Sequence, residues 1–253
     1  MSDFDRGFPR SVPAGAADMA VDAGLRGFML GVYNKLALGL VLSGVLAYLT
    51  ADYAPVRDLL YVVTPDGRLA GFTLLGTLIR FAPLLVILGA MFGMRNPSPR
   101  SAGIYYWLVV SLIGAGLGVW VLAYTGVSLA STFLVTATAF GGLSLFGYVT
   151  KKDLSGVGSF MLVGLIGIII ASLVNMFLHS AMIQFLVSII GVLVFAGLIA
   201  FDTQKLKLTY YALGGNQAAM SVATSYGALS LYLDFLNLFQ FLLMLFGGGG
   251  NRR

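Results

Sequence analysis

Seven stretches of this 253-residue chain are almost entirely apolar, at residues 29–50, 71–94, 104–124, 129–149, 159–178, 182–201 and 222–247, with short polar connections between them. A helix of about 20 apolar residues crosses a hydrocarbon core roughly 30 Å thick and satisfies its own backbone groups there. A membrane β-barrel would instead need alternating segments of about ten residues, and none is seen. The pattern predicts an all-α membrane protein with seven transmembrane helices over residues 29–247. Residues 1–28 mix both charge signs with Pro, Gly and Ala and lack the apolar core of a signal peptide, so they read as a flexible cytoplasmic tail without cleavage, and residues 248–253 read as a short tail.

Composition narrows the picture. The chain is 58% apolar and 10% charged, far from the roughly 25% charge of soluble domains, so function has to sit inside the helix bundle, in contact with membrane lipid. The net charge is +5 and all the acidic residues are aspartates. Much of the basic excess falls in short loops, which orients a membrane protein and leaves nucleic acid outside the expected partners. With no cysteine and a single histidine, disulfides, thiolate metal sites and haem or zinc centres drop out, and no cofactor is expected.

Arg95 and Arg100, Lys151 and Lys152, and Lys205 and Lys207 all follow even-numbered segments. The odd-numbered connections hold Arg57 and Arg68, nothing, and His179. By the positive-inside rule the amino terminus is cytoplasmic. A full crossing of segment seven leaves Arg252 and Arg253 outside and a re-entrant hairpin would return them; the crossing is the expected reading. Gly114 and Gly118, and Gly167 and Ala171, stand four apart and predict close helix contacts.

Polar residues within the apolar segments carry the candidate chemistry. In LYLDFLNLFQFLLMLF, Asp234 shares an arc of roughly 80° with Tyr226, Ser230 and Asn237, at 100° per residue. An ionised aspartate at the bilayer centre costs about 2.5–3.5 kcal/mol on insertion scales, so this stripe is expected to face the bundle interior or a water-lined path, with the carboxy-terminal helix central. Asp202, in GLIAFDTQKLK, is placed in the last turn of segment six and so near the face from which segment seven starts. Two carboxyls that meet there cannot both ionise cheaply and would share a proton, making a pH sensor. Once the proton leaves, they offer hard oxygen ligands to a divalent cation such as calcium. Buried aspartates also serve as polar glue between helices, and Asn175 is expected in that role. Arg80 either snorkels outward or pairs with an aspartate, and His179 is expected to be exposed.

Three stretches, LSLYLDFLNLFQFLLMLFG, FAGLIAFDTQKLK and FGGLSLFGYVTKKDLSGVGSFMLVGLIGIIIASLVNMF, resemble the transmembrane Bax inhibitor motif (Bax inhibitor-1) family in its bacterial form, well over residues 100–247 and only in hydropathy over 29–99. The resemblance implies a central last helix and a pH-sensitive calcium leak. It also implies that Asp202 and Asp234 form the proton-sensing, calcium-responsive site, with Arg95 matching by topology an arginine that latches against the pair. A multi-pass protein of the cell inner membrane is expected. Bacterial relatives are linked to control of a membrane-bound ATP-dependent protease, which implies a second class of function, a non-conducting modulator. Enzyme readings fare poorly: the aspartates lie in IAFD and LYLD and not in the GxGD of intramembrane aspartyl proteases, and no GxSxG is present.

Overall fold

The computed structural model describes residues 14–65 and 69–247, with side chains from residue 23 onward. Helices dominate in the order α1 (Ala14–Asp52), α2 (Ala54–Leu60), the strands β1 (Tyr61–Val63) and β2 (Leu69–Phe72), α3 (Leu74–Gly93), α4 (Pro99–Gly116), α5 (Gly118–Ala123), α6 (Gly126–Val149), α7 (Ser155–Leu178), α8 (Ala181–Ala212) and α9 (Gln217–Phe246). Seven spans among the described residues are long and apolar enough to cross a membrane, the third made of α4 and α5 together.

Several boundaries differ from expectation, each for a local reason. Helix α1 begins at Ala14, so residues 14–28 are helix and not tail; AGAADMAVDAGL is rich in alanine, and Leu25, Phe28 and Met29 anchor the extension in the core. Residues 1–13 and 248–253, the remainder of the expected tails with Arg252 and Arg253, lie outside the described residues. Residues 69–72 are a strand, pairing antiparallel with β1 in the register Tyr61↔Phe72 and Val62↔Gly71, and α3 starts only at Leu74, where the Thr73 side chain caps the Gly76 amide. Helix α8 runs to Ala212, well past the expected end at 201, because QKLKLTYYA continues with good helix formers until Gly214 and Gly215 turn the chain at positive φ. Asp202 therefore sits within a helix and not in its last turn, and Lys205 and Lys207 are helical as well.

Glycine sets the closest contacts. A Cβ on Gly114 would lie 2.7 Å from Ser43 Cα, and one on Gly118 would lie 2.4 Å from Thr50 Oγ1, so both expected glycines press the third span against α1. The Gly167–Ala171 expectation is corrected, since nothing lies within 4 Å of a Cβ at Gly167. In α7 the close approaches are made by Gly158 against Phe201 and Gly164 against Val194.

Helix α9 is unbroken and central. It packs against α8, α1, α4 and α6, while α7 leans on α8 and α3 on α4. Leu231, Tyr232, Leu238 and Leu243 of α9 are all but inaccessible. Buried hydroxyls tie the bundle across its layers: Ser43 Oγ to Tyr232 OH at 2.6 Å, Tyr106 OH donating to the Lys35 carbonyl at 2.6 Å, and the chain Tyr33 OH–Ser144 Oγ–Thr203 Oγ1 at 2.6 and 3.0 Å.

Candidate functional site

The site forms where α8 and α9 cross most intimately. Two glycines make that approach possible: a Cβ on Gly227 of α9 would lie 2.3 Å from Leu206 Cδ2, and one on Gly191 of α8 would lie 2.5 Å from Phe241 Cδ2. Between these contacts lie Asp202 on α8 and, four residues apart on one face of α9, Ser230 and Asp234. The Ser230 hydroxyl donates to Asp202 Oδ2. Asp234, one turn from Ser230 on α9, lies close to the Asp202 carboxyl, and its Oδ2 is buried without a hydrogen-bond partner among the described residues. An ionised carboxylate has no donor, so two neighbouring carboxyls can hydrogen-bond to each other only when they hold a proton between them.

The two carboxyls are not equally accessible. Asp202 is half-buried at the inner end of a cavity of about 320 Å³ that Ser230, Tyr226 and Lys205 also line. Asp234, 7% exposed, sits one turn deeper on α9, and beyond it the interior is closed by Leu238, Phe241 and Leu242. The arrangement is a cavity of mixed polar and apolar lining with Asp202 at one end and buried apolar side chains beyond Asp234.

The chain matches the family described as "Inhibitor of apoptosis-promoting Bax1" over residues 25–252. The chain belongs to the Bax inhibitor-1 family. The match takes in residues 29–99, where hydropathy alone carries the resemblance in the sequence. A Caulobacter vibrioides protein is 63% identical over 248 residues, covering 98% of this chain and 99% of its own length. A Rickettsia prowazekii protein is 42% identical over 246 residues, covering 97% and 98%. The Inner membrane protein YbhL of Escherichia coli is 41% identical over 232 residues, covering 91% and 94%.

In this family member the other predicted site residues take different places. Tyr226 lines the cavity, its ring tilted against Tyr105 with centroids 5.7 Å apart. Asn237 lies on the same side of α9 but turns back on its own helix, Nδ2 donating to the Leu233 carbonyl at 2.8 Å. Arg95 is exposed in the connection between α3 and α4 and forms no ion pair with Asp202 or Asp234, so the expected latch is not assembled in this conformation. Asn175 makes a local bond, accepting from the Ser180 amide at 2.9 Å, where an interhelical one was expected. Arg80 lies over the Phe72 ring of the hairpin at 4.9 Å, which resolves its two alternatives in favour of reaching outward.

Sequence reasoning passed over Lys35. Its Nζ donates to Ser225 Oγ of α9 at 2.7 Å and stands 5.1 Å from the Tyr106 ring centroid, joining α1 to α9 and α4. The signal was present, because a lysine inside an apolar segment meets the same argument that singled out Asp234. For a divalent cation the pair and Ser230 offer carboxylate and hydroxyl oxygens. Calcium takes six to eight such ligands, and the described residues contain no cluster of three or more His, Cys, Asp or Glu side chains. Two carboxyls and one hydroxyl are fewer ligands than a resident calcium ion takes.

Proposed function

We propose that this protein is a pH-sensitive calcium leak of the cell inner membrane, multi-pass with its amino terminus in the cytoplasm, controlled by proton sharing between Asp202 and Asp234. One observation supports the reading: the carboxyls of Asp202 and Asp234, from the last two spanning helices, lie close together, and Asp202 lines a cavity of about 320 Å³. With one proton between them the pair bridges α8 and α9. Loss of that proton leaves two like charges in contact, which repel by about 4 kcal/mol at ~4 Å and an effective dielectric near 20. Separation of the helices relieves the repulsion, withdraws the apolar side chains beyond Asp234, and exposes oxygen ligands that attract a calcium ion. Ser230 holds Asp202 in place, and Tyr226 shapes the approach. The inner-membrane location follows the name of the YbhL relative, and the orientation follows the distribution of Lys and Arg among the connections.

Calcium entry into dye-loaded proteoliposomes between pH 6 and 8 tests the proposal. Flux is expected to rise with pH in the wild type, with that response lost in Asp202→Asn and Asp234→Asn. A pH response surviving both substitutions removes the mechanism. No flux above protein-free liposomes, together with a membrane-bound protease that stays associated through purification, replaces the leak with the non-conducting modulator.

A further inference from the structure

Helices α1 and α6 scarcely touch: α1 packs on α4, α5 and α9, and α6 packs on α8 and α9. The Tyr33–Ser144 hydroxyl bond spans the seam between them. Along this seam lies a cleft of about 440 Å³. Its rims, Leu30 and Leu145, are 50% and 62% exposed, on the face the bundle turns to lipid. Its floor is the buried pair Met29 and Phe140.

The chemistry of the cleft is graded along the helix axes. Arg26 stands at one end, exposed and without an ion pair among the described residues, level with Tyr148 at the end of α6. Lys207 reaches the same corner, donating to the Tyr148 carbonyl at 3.0 Å with its Nζ 5.9 Å from the Tyr148 ring centroid. About 10 Å further along α1, at 1.5 Å per residue, comes the Tyr33–Ser144 hydroxyl pair, and Phe140 and Gly141 lie beyond. Cationic charge, then hydroxyls, then apolar surface is the order met along a phospholipid from phosphate to glycerol esters to acyl chain.

We infer that the α1–α6 cleft binds an acidic phospholipid, with its phosphate at Arg26, its glycerol region against Tyr33 and Ser144, and an acyl chain over Phe140 and Gly141. A zwitterionic lipid brings the same phosphate, but its ammonium group is repelled by the basic corner and offsets that gain. An acidic headgroup gains the basic corner, where a lysine or arginine near a membrane surface changes affinity about fivefold.

Gly141 supplies a clean block. It lines the cleft, and nothing lies within 4 Å of a Cβ built there, so a larger side chain enters the cleft without disturbing a neighbour. Its neighbour Gly142 is equally uncrowded and does not line the cleft, which makes it the matched control.

Native mass spectrometry of the full chain, titrated with phosphatidylglycerol or phosphatidylethanolamine of identical acyl chains, decides the matter. Wild type is expected to retain phosphatidylglycerol about fivefold more tightly. Arg26→Gln is expected to erase that preference, weakening phosphatidylglycerol more than phosphatidylethanolamine, Gly141→Leu to weaken both lipids, and Gly142→Leu to weaken neither. Equal retention of the two lipids by wild type, or phosphatidylglycerol binding unmoved by Arg26→Gln and Gly141→Leu, overturns the assignment. Displacement of the lipid by millimolar inorganic phosphate also overturns it, by showing recognition of a free anion. So does a cleft filled by residues 1–13 or by a second copy of the chain, seen as lipid binding that appears only when those residues are deleted or the copies are separated.

Discussion

Helices α7 and α9 are both long enough to span the bilayer, yet the more hydropathic of the two is the one left outside. In α9, 61% of the apolar window is buried inside the bundle; in α7 the figure is 11%. In water the ranking would be reversed, because burial there is driven by apolar surface. In lipid the surroundings are as apolar as leucine, and what selects the interior is close packing and the need to shelter polar groups. Helix α9 carries Ser225, Tyr226, Ser230, Tyr232, Asp234 and Asn237 and has packing partners on every side, whereas α7 spends Phe160, Val163, Ile166, Ile170 and Phe177 on the lipid.

The strongest way to break this contrast is to add one methyl group in each environment. A Cβ on Gly147 of α6 would lie 2.2 Å from the Ala200 carbonyl oxygen, which is backbone and cannot swing aside, and it would push on α8 two residues before Asp202. Gly147→Ala is expected to lower stability by roughly 1–3 kcal/mol or more, read as a fall in melting temperature in detergent. Gly167→Ala on α7 meets open space and is expected to leave stability unchanged or improved, since alanine is the better helix former by up to about 1 kcal/mol. Equal effects at the two sites would mean that α8 and α6 do not pack as described.

A smaller effect is expected from removing the polar group that marks α9 as interior. Asp234 is buried with one oxygen unpartnered, and a buried polar group without a hydrogen bond costs about 1–3 kcal/mol, a cost that an apolar side chain of similar volume removes. Asp234→Val is expected to fall at the low end of that range, with a raised melting temperature at pH 7 and loss of the pH response in the flux assay. A variant less stable than wild type by over about 1 kcal/mol would show that the carboxyl pair holds the bundle together, and α9 would then be interior for the sake of stability alone.

Much of this was legible in the residues, and the failures have physical causes. Seven spans and a central last helix follow from apolar runs and from the cost of exposing Asp234 to lipid. The meeting of Asp202 with Asp234 followed from their being near the same membrane face, but the depth of Asp202 did not. Apolar content ends near residue 201, whereas helix formation in QKLKLTYYA continues on propensity alone. Residues 71–72, the second half of a strand, fall within the expected segment two because a short apolar strand and a helix start have the same hydropathy. Four-residue glycine spacing identified Gly114 and Gly118 correctly and misassigned Gly167, since spacing gives a face but not what that face meets. The Tyr33–Ser144–Thr203 hydroxyl chain left no trace, because serine and threonine are too common within these segments to single out.

The smallest expected effect lies where α7 begins. A helix with so little buried surface is positioned through its ends, and here the Leu154 amide donates to Gln204 Oε1 at 2.8 Å while Gln204 Nε2 donates to the Lys152 carbonyl at 2.7 Å. Next to that tether, Asp153 Oδ1 accepts from the Ser155 amide at 2.9 Å and from the Ser155 hydroxyl at 2.6 Å, and these bonds hold its carboxyl below the ordinary carboxylate range. A carboxyl lowered on folding binds fewer protons folded than unfolded, so its contribution is complete above the unfolded value near 3.9 and is lost as the pH falls through the lower folded value. Hydrogen exchange at the Ser155 amide, compared with Asp153→Asn across pH 5 to 2.5, reads this directly. Asparagine keeps an acceptor and cannot titrate, so wild-type protection is expected to fall relative to the variant only below about pH 4. A ratio that stays flat through that window would leave the start of α7 to the Gln204 tether alone.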